Sequence, residues 1–89
     1  MSLENEASVV VHPHAMERAA ERGASLDEVV ATVAHGERFT ARVGRTGFRR
    51  NFAFGGMWRG RQFANKQVEA YAIKENGCWI VITVLVKFF

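Results

Sequence analysis

The sequence predicts an α+β fold in which two N-terminal helices pack on one side of a four-stranded antiparallel sheet. Three observations lead to this prediction. Apolar residues recur at helical spacing between Pro13 and Gly36, they alternate with polar residues from Arg38 onward, and Asn76-Gly77 is a strong β-hairpin signal near the C-terminus. A run of helices followed by a run of strands is typical of α+β domains.

With 89 residues and a single cysteine, the chain is predicted to form one domain without a disulfide or a zinc cluster. We expect residues 9–89 to form this domain and residues 1–8 to be a flexible N-terminus. The apolar run from Trp79 to Val86 is too short to span a bilayer, and the N-terminus lacks the layout of a signal peptide. We therefore expect a soluble, cytoplasmic protein with no cofactor, no metal ion and no membrane contact.

Two capped helices are predicted in the first part of the chain. Pro13 suits the first turn of a helix that continues to about Arg22, and Gly23 is a suitable C-terminal stop. Ser25 and Glu28 have the spacing of a capping box, which begins a second helix. Each helix has one apolar stripe, so we expect a helical hairpin that lies against the sheet.

Four strands are predicted after the helices. The first two run from Arg38 to Val43 and from Phe48 to Phe54, and a turn joins them. The last two run from Gln67 to Lys74 and from Cys78 to Phe88, on either side of the hairpin signal. Residues 57–65 have no clear period, so we expect a mobile basic loop between the two hairpins.

The register of the last hairpin assigns its side chains to the two faces of the sheet. With Asn76 and Gly77 as the loop residues, Tyr71 pairs with Ile82, and alternate residues share a face. The face beneath the helices is then predicted to hold Tyr71, Ile73, Ile80, Ile82, Val84 and Val86. The opposite, partly open face is predicted to hold Ala70, Ala72, Lys74, Trp79, Val81, Thr83, Leu85 and Lys87.

Charge is distributed unevenly along the chain. Residues 38–68 contain eight cations and no acid, and because the whole chain has a net charge of +3, the remaining residues sum to −5. Aromatic residues are interleaved with these cations, a combination that suits phosphates and unstacked bases. One electropositive surface that binds RNA is therefore predicted. The residues that we expect to contact RNA are Arg22, Arg49, Arg50, Trp58, Arg59 and Arg61.

Several short motifs resemble a known family. They are the run His14-Ala15-x-x-Arg18-x-x-x-Arg22-Gly23, the capped helix after it and the closing strand Val81-Ile82-Thr83-Val84. Together they resemble a small bacterial domain-of-unknown-function family that is grouped with RelE-like toxins, in the barnase, EndoU, colicin and RelE class of ribonuclease folds. The resemblance extends over most of the chain, although the middle matches in layout rather than in residues. It implies a RelE-like fold and a metal-independent endoribonuclease toxin, or a degenerate relative.

Metal-independent RNA cleavage needs a base, a cation for the phosphorane and an acid. A histidine can take and return a proton at neutral pH, so His14 is the best candidate base, and Arg18 lies beside it on the helix. The resemblance implies that Thr83, the only hydroxyl in the apolar run, belongs to the same site. The helical wheel, however, directs His14 away from the sheet that carries Thr83. His12 and His35 are alternative bases.

Other functions fit the same residues. The chain is alternatively a non-catalytic nucleic-acid-binding module, or a toxin-antitoxin-type interaction domain that docks an acidic antitoxin on its positive surface. The strand from Trp79 to Lys87 is a candidate for edge pairing with a second copy in a homodimer. Structural roles also remain open, because Arg18 and Arg22 can pair with neighbouring glutamates and Thr83 can serve only as a strand former.

Overall fold

The computed structural model describes residues 8–89. Within this part of the chain there are two helices and five strands, namely β1 (Ser8–Val11), α1 (Pro13–Arg22), α2 (Leu26–His35), β2 (Glu37–Thr40), β3 (Thr46–Trp58), β4 (Arg61–Glu75) and β5 (Cys78–Phe88). The predicted flexible N-terminus lies outside the described residues, apart from Ser8, which begins β1.

The strands form one mixed sheet in the order β1-β5-β4-β3-β2. Strands β2 to β5 are antiparallel to their neighbours, whereas β1 is parallel to β5, with Val11 opposite Val81. The α+β class and the two helices are confirmed, but the four-stranded antiparallel sheet is wrong, because β1 joins as a fifth, parallel strand. No local turn connects β1 to β5, so no sequence signal marks their pairing. Strand β1 also covers the edge of β5 along Cys78–Val81, and so occupies the first part of the stretch from Trp79 to Lys87 that was predicted to pair with a second copy.

The ends of the helices are as predicted. Gly23 ends α1 in the left-handed conformation, with φ of 95°. Ser25 and Glu28 form a reciprocal capping box at the start of α2. Helix α1 packs on β5, and α2 packs on β3 and β4. The residues that the two helices bury are Ala15, Ala19, Val29, Thr32 and Val33.

The last hairpin has the predicted turn. Asn76 and Gly77 are its two loop residues, and Glu75 lies opposite Cys78. Both loop residues have positive φ, of 52° and 76°. Type I′ turns require positive φ at both positions, which explains why Asn-Gly is such a strong signal.

A β-bulge in β5 changes which side chains face the helices. Tyr71 lies opposite Thr83 but Ala72 lies opposite Val81, so Ile82 is an extra residue in β5. A slip of one residue moves side chains to the other face. The predicted pairing of Tyr71 with Ile82 is therefore wrong, and so are the predicted faces of β4 and of the part of β5 before the bulge. The residues of this hairpin that are buried beneath the helices are Val68, Ala70, Ala72, Trp79, Val81 and Val84, while Val86, as predicted, packs against them.

Phe48 and Trp79 form the aromatic centre of the core. Their rings meet edge to face, with centroids 5.0 Å apart. Strand β4 lies between the strands that carry them, and its buried residues Ala70 and Ala72 are small enough to leave room for both rings. This packing explains why two alanines occupy the middle of a central strand, where larger β-branched residues are more usual.

The prediction of a mobile loop at residues 57–65 is wrong. These residues belong to β3 and β4, which are joined by a two-residue turn at Arg59 and Gly60, both with positive φ (51° and 83°). The pairing of β3 with β4 shifts register between Ala53 and Gly56. This irregularity interrupts the alternation of side chains, so the strand pattern is hidden in the sequence.

Lys66 connects the sheet to the turn between the helices. Its side chain is only 9% exposed, and its ammonium lies 2.8 Å from the carboxylate of Glu28. The same ammonium donates a hydrogen bond of 2.7 Å to the carbonyl of Gly23. Since Glu28 also caps α2 through Ser25, a single cation of β4 holds the end of one helix and the start of the next.

We expect Lys66→Ala to lower the free energy of unfolding by about 3 kcal/mol, because it leaves the Glu28 carboxylate and the Gly23 carbonyl without their cation. Urea denaturation measures the change. The control is Lys87→Ala, which removes an exposed lysine of β5 and should change the stability by less than about 0.5 kcal/mol. Equal effects of the two substitutions would contradict the structural role of Lys66.

The Glu28 carboxyl should also make the stability depend on pH. Burial raises the pKa of Glu28, but hydrogen bonds from Lys66 and Ser25 and the charge of Lys66 outweigh it and bring this pKa below its ordinary value of 4.5. A carboxyl with a lowered pKa stabilises the fold above its unfolded pKa, and the contribution is lost as the pH falls through the folded pKa.

We therefore expect the stability difference between the natural protein and Glu28→Gln to shrink as the pH falls below 4.5. Glutamine can still cap α2, so the comparison isolates the charge. Urea denaturation at a series of pH values from neutral downward measures the difference. A difference that stays constant with pH would show that the Glu28 charge does not contribute.

Candidate nucleic-acid interface

The loop between β2 and β3 lies over the face of the sheet that the helices leave open. Within the loop, the backbone N–H of Arg45 donates to the carbonyl of Arg42 at 2.9 Å, which closes a turn. Between the loop and the sheet is a cleft of about 470 Å³, hereafter the loop cleft. Its lining residues are Phe39, Thr40, Ala41, Arg42, Arg45, Tyr71, Thr83 and Leu85.

Aromatic rings form one wall of the loop cleft. The ring of Phe39 lies against Gly47, directly opposite on β3, and a Cβ atom at position 47 would lie 2.4 Å from it. Tyr71 meets Phe39 edge to face, with centroids 5.8 Å apart. The absence of a side chain at Gly47 therefore allows the Phe39 ring to lie low on the sheet, beside Tyr71.

Arg42 and Arg45 supply the positive charge of the loop cleft. Both are exposed, and neither forms an ion pair with an acidic residue among residues 8–89. A guanidinium group has five N–H donors in a planar arrangement that matches the oxygens of a phosphate. The two arginines are therefore available to an anionic ligand in the cleft.

Hydroxyl groups add hydrogen-bonding capacity to the loop cleft. The Tyr71 hydroxyl donates to the Glu69 carboxylate at 2.8 Å. Burial, this hydrogen bond and the negative charge of Glu69 together raise the pKa of Tyr71, so the phenol stays protonated at neutral pH. Thr83 lies opposite Tyr71 on β5, and Thr40 lines the cleft from β2. The cleft can thus both neutralise an anion and form hydrogen bonds with it.

The predicted catalytic residues lie on two sides of the sheet. Thr83 faces the loop cleft, whereas His14 and Arg18 are exposed on α1, which packs on the other face. Arg18 pairs with Glu21 one turn away, at 3.5 Å. The structure therefore keeps His14 and Arg18 together but separates both from Thr83, in agreement with the helical wheel.

His12 and His14 lie side by side at the start of α1. His12 is the N-cap residue, and its Nδ1 accepts a hydrogen bond of 3.2 Å from the backbone N–H of His14. The two rings are stacked, with centroids 5.4 Å apart and an interplanar angle of 16°. Both histidines are exposed. His35, the other alternative base, is exposed at the C-terminal end of α2.

Arg22 and Arg49, both predicted to bind RNA, have partners within the protein. Arg22 donates a hydrogen bond of 2.6 Å to the carbonyl of Val84, which ties the end of α1 to β5. Arg49 pairs with Glu37 on β2 at 2.9 Å, and its guanidinium lies 4.7 Å from the centroid of the Phe39 ring. These contacts give both arginines structural roles.

Trp58 and Arg59 are also engaged at the far end of the β3–β4 hairpin. The Trp58 ring stacks on Phe88, with centroids 4.9 Å apart, and packs so closely on Gly23 that a Cβ atom there would lie 3.0 Å from it. Arg59 donates to the carbonyl of Glu21 at 3.2 Å, and its guanidinium lies 5.2 Å from the Trp58 ring centroid. This end of the hairpin therefore packs against the C-terminus of α1.

Arg50 and Arg61, the last two predicted contacts, each lie over a phenylalanine of their own strand. The guanidinium of Arg50 is 5.5 Å from the Phe52 ring centroid, and that of Arg61 is 5.4 Å from the Phe63 ring centroid. Arg61 is exposed at the tip of the hairpin, far along β4 from Tyr71. Neither arginine lines the loop cleft.

The sequence did not predict the loop cleft, although Arg42 and Arg45 belong to residues 38–68, the segment with eight cations and no acid, hereafter the basic stretch. The signal present in the sequence is a short segment between Thr40 and Thr46 that contains two arginines, a glycine and no acid. What the sequence does not show is that this segment turns over the open face and meets Thr83, which is distant in the chain.

Fold and site together define an α+β protein with two helices on one face of a mixed sheet and a cationic cleft on the other. No protein-family model, no curated protein and no solved structure matches the chain. Among residues 8–89, no helix is long and apolar enough to cross a membrane. The same residues contain no group of three or more histidine, cysteine, aspartate or glutamate side chains placed to hold a metal ion.

Proposed function

We propose that the protein binds single-stranded RNA through the loop cleft. The observation that carries this proposal is the position of Arg42 and Arg45, two guanidinium groups without acidic partners among the described residues, beside the rings of Phe39 and Tyr71. Guanidinium groups bind backbone phosphates, and aromatic side chains accept unstacked bases. The cleft combines both features in one recess.

The shape of the site favours a single strand over a duplex. The bases of a duplex are stacked and paired, so they cannot enter a recess whose floor is the sheet, whereas the bases of a single strand can be splayed out. A volume of about 470 Å³ is of the size that holds one small ligand, such as a nucleotide. The hydroxyls of Thr40 and Thr83 are suited to the sugar and phosphate oxygens.

Charge on the same face extends beyond the cleft. Lys87 lies two residues after Leu85 on β5, so it projects from the same face of the sheet. Three cations, Arg42, Arg45 and Lys87, are therefore placed to follow the backbone of a bound strand. This is fewer than the eight cations of the basic stretch, because most of those have partners within the protein.

RNA affinity should depend on salt to the extent set by these three cations. For a single strand of about eight nucleotides, we expect a slope of log K against log salt of about −2, which is a loss of about 20-fold between about 50 and 200 mM. The double substitution Arg42→Ala and Arg45→Ala should reduce the slope to about −0.7. Fluorescence anisotropy with a labelled RNA measures both values.

The control is the double substitution Arg59→Ala and Arg61→Ala, which removes the same charge at the far end of the β3–β4 hairpin and should leave the slope near −2. Equal weakening by the two double substitutions would refute the assignment to the loop cleft. If an acidic polypeptide of matched charge displaces RNA completely at equal concentration, the cleft is instead a docking site for an acidic protein.

A second candidate function is metal-independent RNA cleavage of the RelE-like kind, and the stacked pair of His12 and His14 favours it. In this reaction the 2′-oxygen of RNA attacks the adjacent phosphorus, one histidine takes the 2′-hydroxyl proton, and the other protonates the departing 5′-oxygen. The products are a 2′,3′-cyclic phosphate and a 5′-hydroxyl end. Arg18, one turn further along α1, supplies a cation for the phosphorane. This arrangement keeps His14 and Arg18 from the sequence prediction and takes His12, rather than Thr83, as the third group.

Cleavage is tested by incubating RNA with the protein in EDTA and identifying the new ends. We expect His12→Ala and His14→Ala each to lower the rate by about 10²- to 10⁴-fold, because each removes one proton-transfer group. The control is the His35→Ala variant, which should cleave RNA at the same rate as the unsubstituted protein. Absence of cleavage would reject this second function without affecting RNA binding at the loop cleft.

A further inference from the structure

We infer that a second recess on the open face reads one adenine of the bound strand, an inference that rests on the proposed RNA binding. Asn51, Gln67, Lys87 and Phe89 line a pocket of about 320 Å³, hereafter the amide pocket. Asn51, Gln67 and Lys87 form one row across β3, β4 and β5. Phe89 follows Lys87 by two residues, just beyond the end of β5. Two backbone hydrogen bonds to Asn65, of 2.8 and 3.0 Å, hold it in place.

The amide pocket lies on the same face as the loop cleft and close to it. Gln67 is four residues from Tyr71 along β4, and Lys87 is two residues from Leu85 along β5, so even spacing keeps all four on one face. At about 3.3 Å per residue, the two recesses are roughly 7 to 13 Å apart. A few nucleotides span this distance, so one strand can occupy both sites.

The two amides are fixed in a way that suits a base edge. Gln67 Nε2 donates a hydrogen bond of 2.9 Å to Asn51 Oδ1. An amide has two N–H donors and a carbonyl acceptor, so the pair still offers the Asn51 amino group as a donor and the Gln67 carbonyl as an acceptor. Reversing both amides exchanges the two roles but leaves one donor beside one acceptor.

Adenine has the complementary edge. Its N6 amino group is a donor and its N7 is an acceptor, and these are the atoms that asparagine and glutamine side chains recognise in pairs. Because Asn51 and Gln67 already hold each other in place, binding orders them further at little entropic cost. On the edge that carries N7, guanine presents two acceptors, N7 and O6, and a pyrimidine has no such edge, so the pair is pre-organised for this edge of adenine.

The neighbours of the two amides indicate a ligand site and not only a cross-strand contact. The side chain of Phe89 is 47% exposed, which leaves its ring available for stacking with a base. Lys87 is exposed and provides a cation for an adjacent phosphate. A stacking ring, a base-reading pair and a phosphate-binding cation thus line the same pocket.

The inference is tested with single strands of oligouridine, about eight nucleotides long, that carry one adenine at each position in turn. We expect one position at which adenine raises the affinity by about 5- to 150-fold, measured by fluorescence anisotropy at constant salt. The double substitution Asn51→Ala and Gln67→Ala should remove this gain and leave the salt slope unchanged, because it removes no charge. Gln67→Met, which keeps the approximate size of the side chain but removes its N–H donors and carbonyl acceptor without adding charge, should also remove the gain.

The matched control is Gln62→Ala, which removes an exposed amide of β4 outside the pocket and should preserve the adenine preference. Equal affinity for all the oligonucleotides, with a salt slope that still depends on Arg42 and Arg45, would overturn the amide pocket and leave the loop cleft intact. A protein that binds none of the oligonucleotides would overturn the proposed function and this inference with it.

Discussion

The contact of Lys66 with Glu28 and Gly23 is the constraint on which the arrangement of helices and sheet depends. A nearly buried ammonium is tolerated only when its charge is paired and its protons are hydrogen-bonded. Here one partner, Gly23, is the C-cap of α1 and the other, Glu28, lies in the first turn of α2, so the junction between the two helices must lie over β4. Two helices of ten residues each then lie on one face of the sheet, and the opposite face is left to the β2–β3 loop.

This arrangement separates the structural cations from those available to a ligand. Arg22, Arg59 and Lys66 all donate to backbone carbonyls, two of them at the C-terminal end of α1, where a helix carries partial negative charge. Arg42 and Arg45 project from a loop on the other side of the sheet. The basic stretch therefore serves two purposes that its amino-acid composition does not distinguish.

Features set by neighbouring residues were predicted from the sequence. The capping box of Ser25 and Glu28, the stop at Gly23 and the Asn76-Gly77 turn depend only on local backbone geometry, and the structure contains all three. The parallel pairing of β1 with β5, the bulge at Ile82 and the irregularity near Gly56 arise from contacts between distant segments or from single inserted residues. Periodicity assumes uninterrupted alternation, so it fails wherever a strand carries an extra residue.

The candidate site was predicted less completely than the fold, for a related reason. A charge count identifies cations but not their partners, and the partner of Arg22 lies 62 residues away in the chain. Resemblance to a known family singled out Thr83, which does line the loop cleft, but it placed Thr83 with His14, on the opposite side of the sheet. Arg42 and Arg45 stand out only when the path of their loop is known.

The β-bulge in β5 gives this strand one residue more than its pairing with β4 requires. Val81 and Val84 both point into the core, three positions apart, while Thr83 points to the loop cleft, because the extra residue Ile82 bulges out of the alternation. Deleting Ile82 would place Thr83 directly after Val81 and keep each of them opposite its present partner on β4. Val81 and Val84 would stay in the core, and Thr83 would stay at the cleft. The deletion would remove only the bend and the added twist that a bulge gives to a strand, so loss of one residue here spares both faces of the sheet.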